Sequence, residues 1–305
     1  FPAVVAAPII IVIGLTLAPS AITNCQQNWI LAVIALGTII VCNIWGKGMV
    51  KIIPIIIAIV VSYIVAIFMG EINFTAVKEA AWFGLPLDSK AFAFNAFQNS
   101  SMAITAIIAI VPISLATMME HIGDISAISA TCNRNFLADP GLHRTLLGDG
   151  VATTLASLFG GPANTTYGEN TGVLALTKVY DPKVIRIAAC VAVVLSFSPK
   201  VAAIISTIPT AIIGGISLIL YGMISGIGLR SVVENKVDFT KSRNLIIVAV
   251  ILVTALGFAG TGFTFHIGSV SITLTGLAIA AILGIVLNAA IPGNDYVFMS
   301  EENKD

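Results

Sequence analysis

Glu120 and Glu169 are carboxylates in segments otherwise poor in charge, and the second lies inside Phe159-Gly-Gly-Pro-Ala-Asn-Thr-Thr-Tyr-Gly-Glu-Asn170. A carboxylate at bilayer depth costs roughly 2.5–3.5 kcal/mol on insertion scales, so it usually marks a substrate or ion path. A backbone broken by glycine and proline at that depth is tolerated only beside protein or a water-filled cavity. Together they describe a polar binding site within a membrane.

Elimination selects the same residues. Of 15 acidic residues, Glu71, Glu79 and Asp88 fall in one loop, and Asp139, Asp181, Glu234 and Asp238 fall in loops of the opposite side. Asp295, Glu301, Glu302 and Asp305 lie in the C-terminal stretch. Only Glu120, Asp124, Asp149 and Glu169 remain at or near membrane depth. Glu120 and Asp124 share Met118-Met-Glu-His-Ile-Gly-Asp124, where the i, i+4 spacing puts both on one helix face. Ionised together they repel, so such a pair can hold a proton, the property a proton-coupled carrier needs. The alternative for both Glu120 and Asp124 is a helix end at the cytoplasmic interface with the two acids solvated. Gly123 would admit the close approach of another backbone, and His121 is expected to be a packing or interfacial histidine.

Gly160-Gly-Pro162 cannot continue a helix. An extended stretch over 160–168 and a helix from about Glu169 would make a discontinuous span. Free N–H groups at such a helix start suit a carbonyl oxygen or an anion. Gly168 lets a flat ligand reach the main chain, Tyr167 offers a flat face, and the Glu169 carboxylate can accept ring N–H donors. A planar ligand carrying both N–H donors and C=O acceptors would match this set. Asp149, between Gly148 and Gly150, is expected to be a structural cap rather than a ligand.

The elements that must hold these residues are membrane spans. The chain is 57% hydrophobic and 10% charged, with a mean hydropathy of +1.01, which excludes an ordinary soluble domain. Hydropathy marks ten candidate spans, about 3–19, 28–45, 50–70, 97–121, 143–160, 166–178, 183–199, 206–228, 243–259 and 269–291, of which the fifth and sixth are short and broken. Twelve of the 15 basic residues fall on the side of the chain ends; only Lys78, Lys90 and Lys200 fall opposite. Both ends are therefore expected in the cytoplasm of a multi-pass inner (plasma) membrane protein. The asymmetry is that of a bilayer partner and argues against nucleic acid. Cys25, Cys42, Cys132 and Cys190 have no metal spacing and are expected to be small core residues. No cofactor or metal is expected, only a coupling proton.

Phe1 is not Met, and Phe1-Pro2 opens directly into an apolar run, so a signal peptide is not expected and a fragment is. The proline-started run at Pro2 is echoed at Pro209, as inverted repeats would leave it. A second repeat starting near Phe97 would place the start of the first about 110 residues before Phe1, a gap of roughly four spans.

Pro54-Ile-Ile-Ile, Glu120-His-Ile-Gly, Asp139-Pro-Gly-Leu-His-Arg144, Asn164-Thr-Thr-Tyr-Gly-Glu-Asn-Thr-Gly-Val173 and Gly214-Gly-Ile-Ser-Leu-Ile-Leu-Tyr-Gly222 resemble the nucleobase–ascorbate transporters, also called nucleobase–cation symporters, over essentially the whole chain. The Asn-Thr-Thr-Tyr-Gly-Glu-Asn run resembles the bacterial uracil type within that family. The resemblance implies an all-α polytopic membrane protein: a seven-plus-seven inverted-repeat fold with core and gate domains and a short strand in a discontinuous span, of which this chain holds the last ten spans. It implies a gate domain from 1–70 and 206–291, a core domain over 97–199 and a cytoplasmic tail over 292–305. By motif, Glu120 would bind the pyrimidine ring, with Tyr167, Gly168 and Glu169 completing the site. Asp124 stands where some relatives carry a histidine implicated in proton coupling, a role shared here with Glu120. A strand from the absent part would pair with 160–168, so the chain is not expected to transport alone. A homodimer through the gate domain follows from the resemblance only.

The expected activity is uracil import by proton symport through alternating access. The runner-up is a xanthine, urate or ascorbate carrier. Among other classes, a sulfate carrier of the same fold would bring a large C-terminal domain. An intramembrane aspartyl protease needs Gly-x-Gly-Asp, and position 121 is His. A passive channel would show no dependence on a proton gradient.

Overall fold

Apolar runs close their hydrogen bonds internally as helices, because hydrocarbon offers no partner to a bare N–H or C=O. The computed structural model describes residues 2–87, 91–98, 100–167, 170, 171, 174, 178–267 and 270–293. In chain order these contain α1 (Ala3–Cys25), α2 (Trp29–Trp45), α3 (Met49–Ile52), α4 (Pro54–Phe68), α5 (Thr75–Glu79), α6 (Ser100–Cys132) and α7 (Leu142–Leu158). There follow α8 (Pro182–Ser196), α9 (Pro199–Ser206), α10 (Thr210–Glu234), α11 (Ser242–Gly257), β1 (Phe263–Ile267), β2 (Val270–Leu274) and α12 (Gly276–Ala290).

α1 and α10, of 23 and 25 residues, reach ~35 Å or more at 1.5 Å per residue, beyond the ~30 Å hydrocarbon core. α2 carries exposed Trp29 and Trp45 at its two ends, the placement of an interfacial aromatic belt. This is an integral membrane protein.

Local chemistry sets the helix ends. Asn28 caps α2, its Oδ1 accepting from the N–H groups of Ile30 and Leu31 at 3.1 and 3.3 Å. Asp181 accepts from Lys183 N–H at 2.9 Å to start α8, and proline opens α4, α8 and α9. At other ends a residue with positive φ turns the chain back: Gly70, Asn133, Gly160 and Lys236. The next N–H then bonds the carbonyl five residues earlier, Glu71 to Ala66 at 3.1 Å, Arg134 to Ser129 at 3.0 Å, Gly161 to Ala156 at 2.8 Å and Val237 to Val232 at 3.1 Å.

Two compact units result. The first comprises Phe1–Thr16, Asn99–Gly123 and Ile224–Asp305. Its core joins Val5, Ile9 and Val12 of α1 with Ile247 and Ile251 of α11 and Ala280 and Ala281 of α12, and Ile122 packs on it. Ser225 Oγ of α10 donates to Ile11 O at 2.9 Å. A Cβ on Gly228 would fall 2.7 Å from Ile11 N, so glycine is what lets α1 and α10 approach. The second unit comprises Leu17–Gln98 and Asp124–Met223. Leu31, Ala35 and Ile39 of α2 pack there on Ala58 and Ala66 of α4 and on Ala211, Ile212 and Ile216 of α10. Tyr63 Oη and Thr207 Oγ1 share a hydrogen bond of 2.6 Å, and Gly84 N–H donates to Phe197 O at 2.9 Å.

Four expectations need correction. The last span begins at Gly276 rather than 269, because β2 pairs antiparallel with β1, Phe263 opposite Leu274. Phe-Thr-Phe-His-Ile and Val-Ser-Ile-Thr-Leu alternate apolar with polar or small residues around Gly268-Ser269. That period-2 pattern a hydropathy window averages away; the fold is otherwise mostly helical, as expected of an all-α membrane protein. The span ending at 121 continues to Cys132. The span over 183–199 breaks at its end, α8 and α9 meeting at 93°. Among the cysteines, Cys25 and Cys42 are buried, but Cys132 is half-buried and Cys190 exposed.

Candidate functional site

The backbone of α6 is one helix from Ser100 to Cys132, so positions 120 and 124 stand one turn apart, as the spacing requires. Asp124 is only 7% exposed and His121 5%. The solvated helix-end reading of Asp124 is thereby excluded: the helix runs two further turns to its close at Asn133, where Ser129 Oγ also accepts from Phe136 N–H at 3.1 Å. The burial of His121 fits its packing reading. Gly123 does not admit a backbone. A Cβ there would meet the Ile10 side chain, at 3.3 Å from Cδ1. The side chain of Glu120 lies outside the described residues.

The second half of the predicted site is a broken span. α7 closes at Gly160, with φ +80, where a Cβ would fall 2.6 Å from Ala91 O. Residues 161–167 then run without helix or strand. Pro162 has no N–H to extend α7. Thr153 Oγ1 of α7 donates to Asn164 O at 3.1 Å and ties the non-helical stretch back to the helix before it. The chain is helical again at Asn170 and Thr171, and Asn170 N–H donates to Tyr167 O at 3.2 Å. Of the expected course, the described residues show a non-helical stretch at 161–167 and helix at 170 and 171; positions 168 and 169 lie outside them. No strand partner is assigned to 161–167 among the described residues.

Tyr167, at 58% exposure, presents its ring at the end of this stretch, beside the helix start. Gly168 and Glu169 lie outside the described residues. Asp149 is not a cap. It sits half-buried in the interior of α7, in the helix Leu142–Leu158, because Gly148 and Gly150 are tolerated inside a helix that membrane partners sustain. Among the described residues, no group of three His, Cys, Asp or Glu is placed to hold a metal.

Sequence reading missed the support under the break. The Phe92 ring meets Phe159 edge-on at 5.8 Å, and Ala91 fills the space beside Gly160. Only the small residue at 91 and the aromatic beside it hinted at this, and their partners are about 70 positions away.

What this arrangement offers chemically is a buried carboxyl group on an apolar helix, and a non-helical stretch of main chain ending in an exposed aromatic ring. A family profile described as Permease family matches residues 1–264. The chain is 40% identical over 316 residues to the uracil permease of Bacillus caldolyticus, covering 99% of this chain and 71% of that protein. It is likewise 40% identical to the uracil permease of Bacillus subtilis (strain 168), covering 95% and 68%. To the uracil permease of Escherichia coli (strain K12) it is 36% identical, covering 94% and 66%. The resemblance read from Glu120-His-Ile-Gly and Asn164-Thr-Thr-Tyr-Gly-Glu-Asn170 is therefore correct: this chain belongs to the permease family of the nucleobase–ascorbate transporters and is uracil-permease-like within it.

Proposed function

We propose that this protein is a secondary active transporter that imports uracil together with a proton by alternating access. The observation that carries the reading is Asp124, 7% exposed on an apolar helix one turn from Glu120, with non-helical backbone at 161–167. An ionisable group in that setting is retained for ion or substrate handling. The similarity to proteins named uracil permeases supports the substrate.

Glu120 binds the pyrimidine ring through its N–H donors, and Glu169 with the backbone at Tyr167–Gly168 completes the contact. Asp124, with Glu120, carries the coupling proton. Segments 97–199 form the core that rocks against the gate, 1–70 and 206–291, with both chain ends cytoplasmic and the gate forming the homodimer contact. Each elementary charge moved inward is worth about 2.3 kcal/mol per 100 mV of membrane potential, so one proton supports a substantial concentration ratio. The other reading within the family, a xanthine or urate carrier, is disfavoured by Tyr167-Gly168-Glu169-Asn170.

Uptake of labelled uracil from the full-length gene, in cells lacking their own permease, decides between them. Uptake should collapse with a protonophore and ignore excess xanthine. Absence of uracil uptake, or strong competition by xanthine, overturns the substrate. Protonophore-resistant uptake overturns the coupling.

A further inference from the structure

The chain passes from segment 1–70 to segment 97–199 through α5, and from 97–199 to 206–291 through α9. On the orientation adopted above, both connections lie on the outer side. Both belong to the second compact unit, and α9 packs there against α5.

α8 and α9 meet at 93°, and such a bend bares main-chain groups. Phe197 O lies at the corner, past the end of α8. Lys200 N–H lies in the first turn of α9, where N–H groups have no partner within the helix. Pro199, before it, has no N–H at all. One stretch of the other connection takes up both groups. Gly84 N–H donates to Phe197 O at 2.9 Å, and Lys200 N–H donates to Ala81 O at 3.1 Å. Going forward from 81 to 84 matches going back from 200 to 197, so the two stretches run antiparallel. Only glycine fits at 84: a Cβ there would fall 2.7 Å from Cγ and 3.3 Å from Cδ of Pro199, a ring with no rotamer to swing away. Lys200, half-buried, adds its Nζ 4.6 Å from the centroid of the Trp82 ring, a cation over an aromatic face. Two main-chain bonds, a glycine seated on a proline ring and a cation–π contact act on the same few residues, so this clasp opens only if all are lost together.

The clasped pair is held at both ends. Tyr63 of α4 shares its hydrogen bond with Thr207, the residue after α9. Further along the first connection, Ala91 and Phe92 sit on Gly160 and Phe159, where α7 stops and the stretch 161–167 begins.

We propose that the clasp joins the two outer connections between core and gate into one strap, which stays closed through the transport cycle so that both connections swing as a single body. This deepens the alternating-access reading and rests on its division into core and gate. The first connection is seated beside the broken span, so a loosened clasp slows the swing of that span against the gate while leaving the binding of substrate unchanged.

The test uses the full-length gene in a Cys190→Ser background, which removes the exposed cysteine. Ala81→Cys with Lys200→Cys places a thiol at each end of one clasp bond and keeps both main-chain bonds. Oxidation should cross-link the pair, read as a linked peptide by mass spectrometry, and uracil uptake should match that of the reduced protein. Gly84→Val should lower the maximal uptake rate about ten-fold, the worth of roughly one net hydrogen bond, and leave the uracil Kd of the purified protein unchanged. Failure of the pair to cross-link overturns the contact. Uptake lost on oxidation and restored by reductant overturns the strap, since the clasp would then have to open in each cycle. Gly84→Val with the wild-type rate, or with its loss confined to uracil affinity, overturns it as well. Where Gly84→Val does not accumulate in the membrane, the cross-linked pair decides. A wild type that takes up no uracil overturns the substrate instead, and the cross-link still reports the clasp.

Discussion

Gly160→Ala should damage the broken span more than any other glycine substitution near it. Gly160 closes α7 with φ +80, a conformation that costs an L residue roughly 1–2 kcal/mol. The added methyl would also fall 2.6 Å from both Cβ and O of Ala91. Neither can retreat as a flexible side chain would, and overpacking of this kind costs typically about 1–3 kcal/mol. Together the loss is about 2–5 kcal/mol. Gly148 and Gly150 lie inside α7 with nothing within 4 Å of an added Cβ. Alanine there should stabilise the helix by about 0.5–1 kcal/mol. The three variants differ by one methyl each, in the same segment, so expression and insertion effects are shared. Thermal unfolding in detergent, with uracil uptake in parallel, gives the comparison. Gly160→Ala should unfold several degrees lower and lose uptake, because 161–167 and Tyr167 hang from that turn, while Gly148→Ala and Gly150→Ala match or exceed the wild type. A Gly160→Ala protein as stable and active as Gly148→Ala would refute both the left-handed closure of α7 and the contact with Ala91.

Other expectations follow from the same geometry and from the proposed mechanism. Glu169→Gln should abolish uracil uptake, whereas Glu120→Gln should weaken uracil binding itself, since a charged acceptor of ring N–H groups is worth more than a neutral one; equilibrium binding on purified protein separates the two, and wild-type uptake in the first variant removes Glu169 from the site. Asp124→Asn keeps the volume of a residue 7% exposed but cannot exchange a proton, so uptake against a uracil gradient should fail while binding survives; undiminished accumulation would move the coupling elsewhere. Gly228→Val would press on backbone, with Ile11 N 2.7 Å and Ala7 O 2.9 Å from the new Cβ, and should cost about 1–3 kcal/mol in detergent unfolding; an unchanged midpoint would mean that α1 and α10 do not pack this closely.

Much of this protein was determined by local chemistry. Transfer of apolar side chains into lipid and the cost of a buried carboxylate belong to single residues, so the membrane class needed no fold, and Glu120, Asp124 and Glu169 could be put forward as candidates without one. Gly160-Gly-Pro162 was equally local: a missing N–H and a glycine able to take positive φ stop α7 whatever surrounds it. The motifs around Glu120 and Asn164 carried the family, because they are contiguous in the chain. Tertiary structure decided what depends on residues far apart. Asp124 is buried because α6 continues past it and other segments cover it, which no window around Glu120 could show. Asp149 lies inside α7 rather than at its start because two glycines, permissive in either state, left the boundary to packing. The β1–β2 hairpin emerged from an apolar run whose alternation matters only once two strands can pair. Ala91 and Phe92 support the break, and Arg243 reaches Asn288 and Ile291 across 45 and 48 residues, for one physical reason: a contact's energy depends on distance in space, and sequence separation carries almost none of that information.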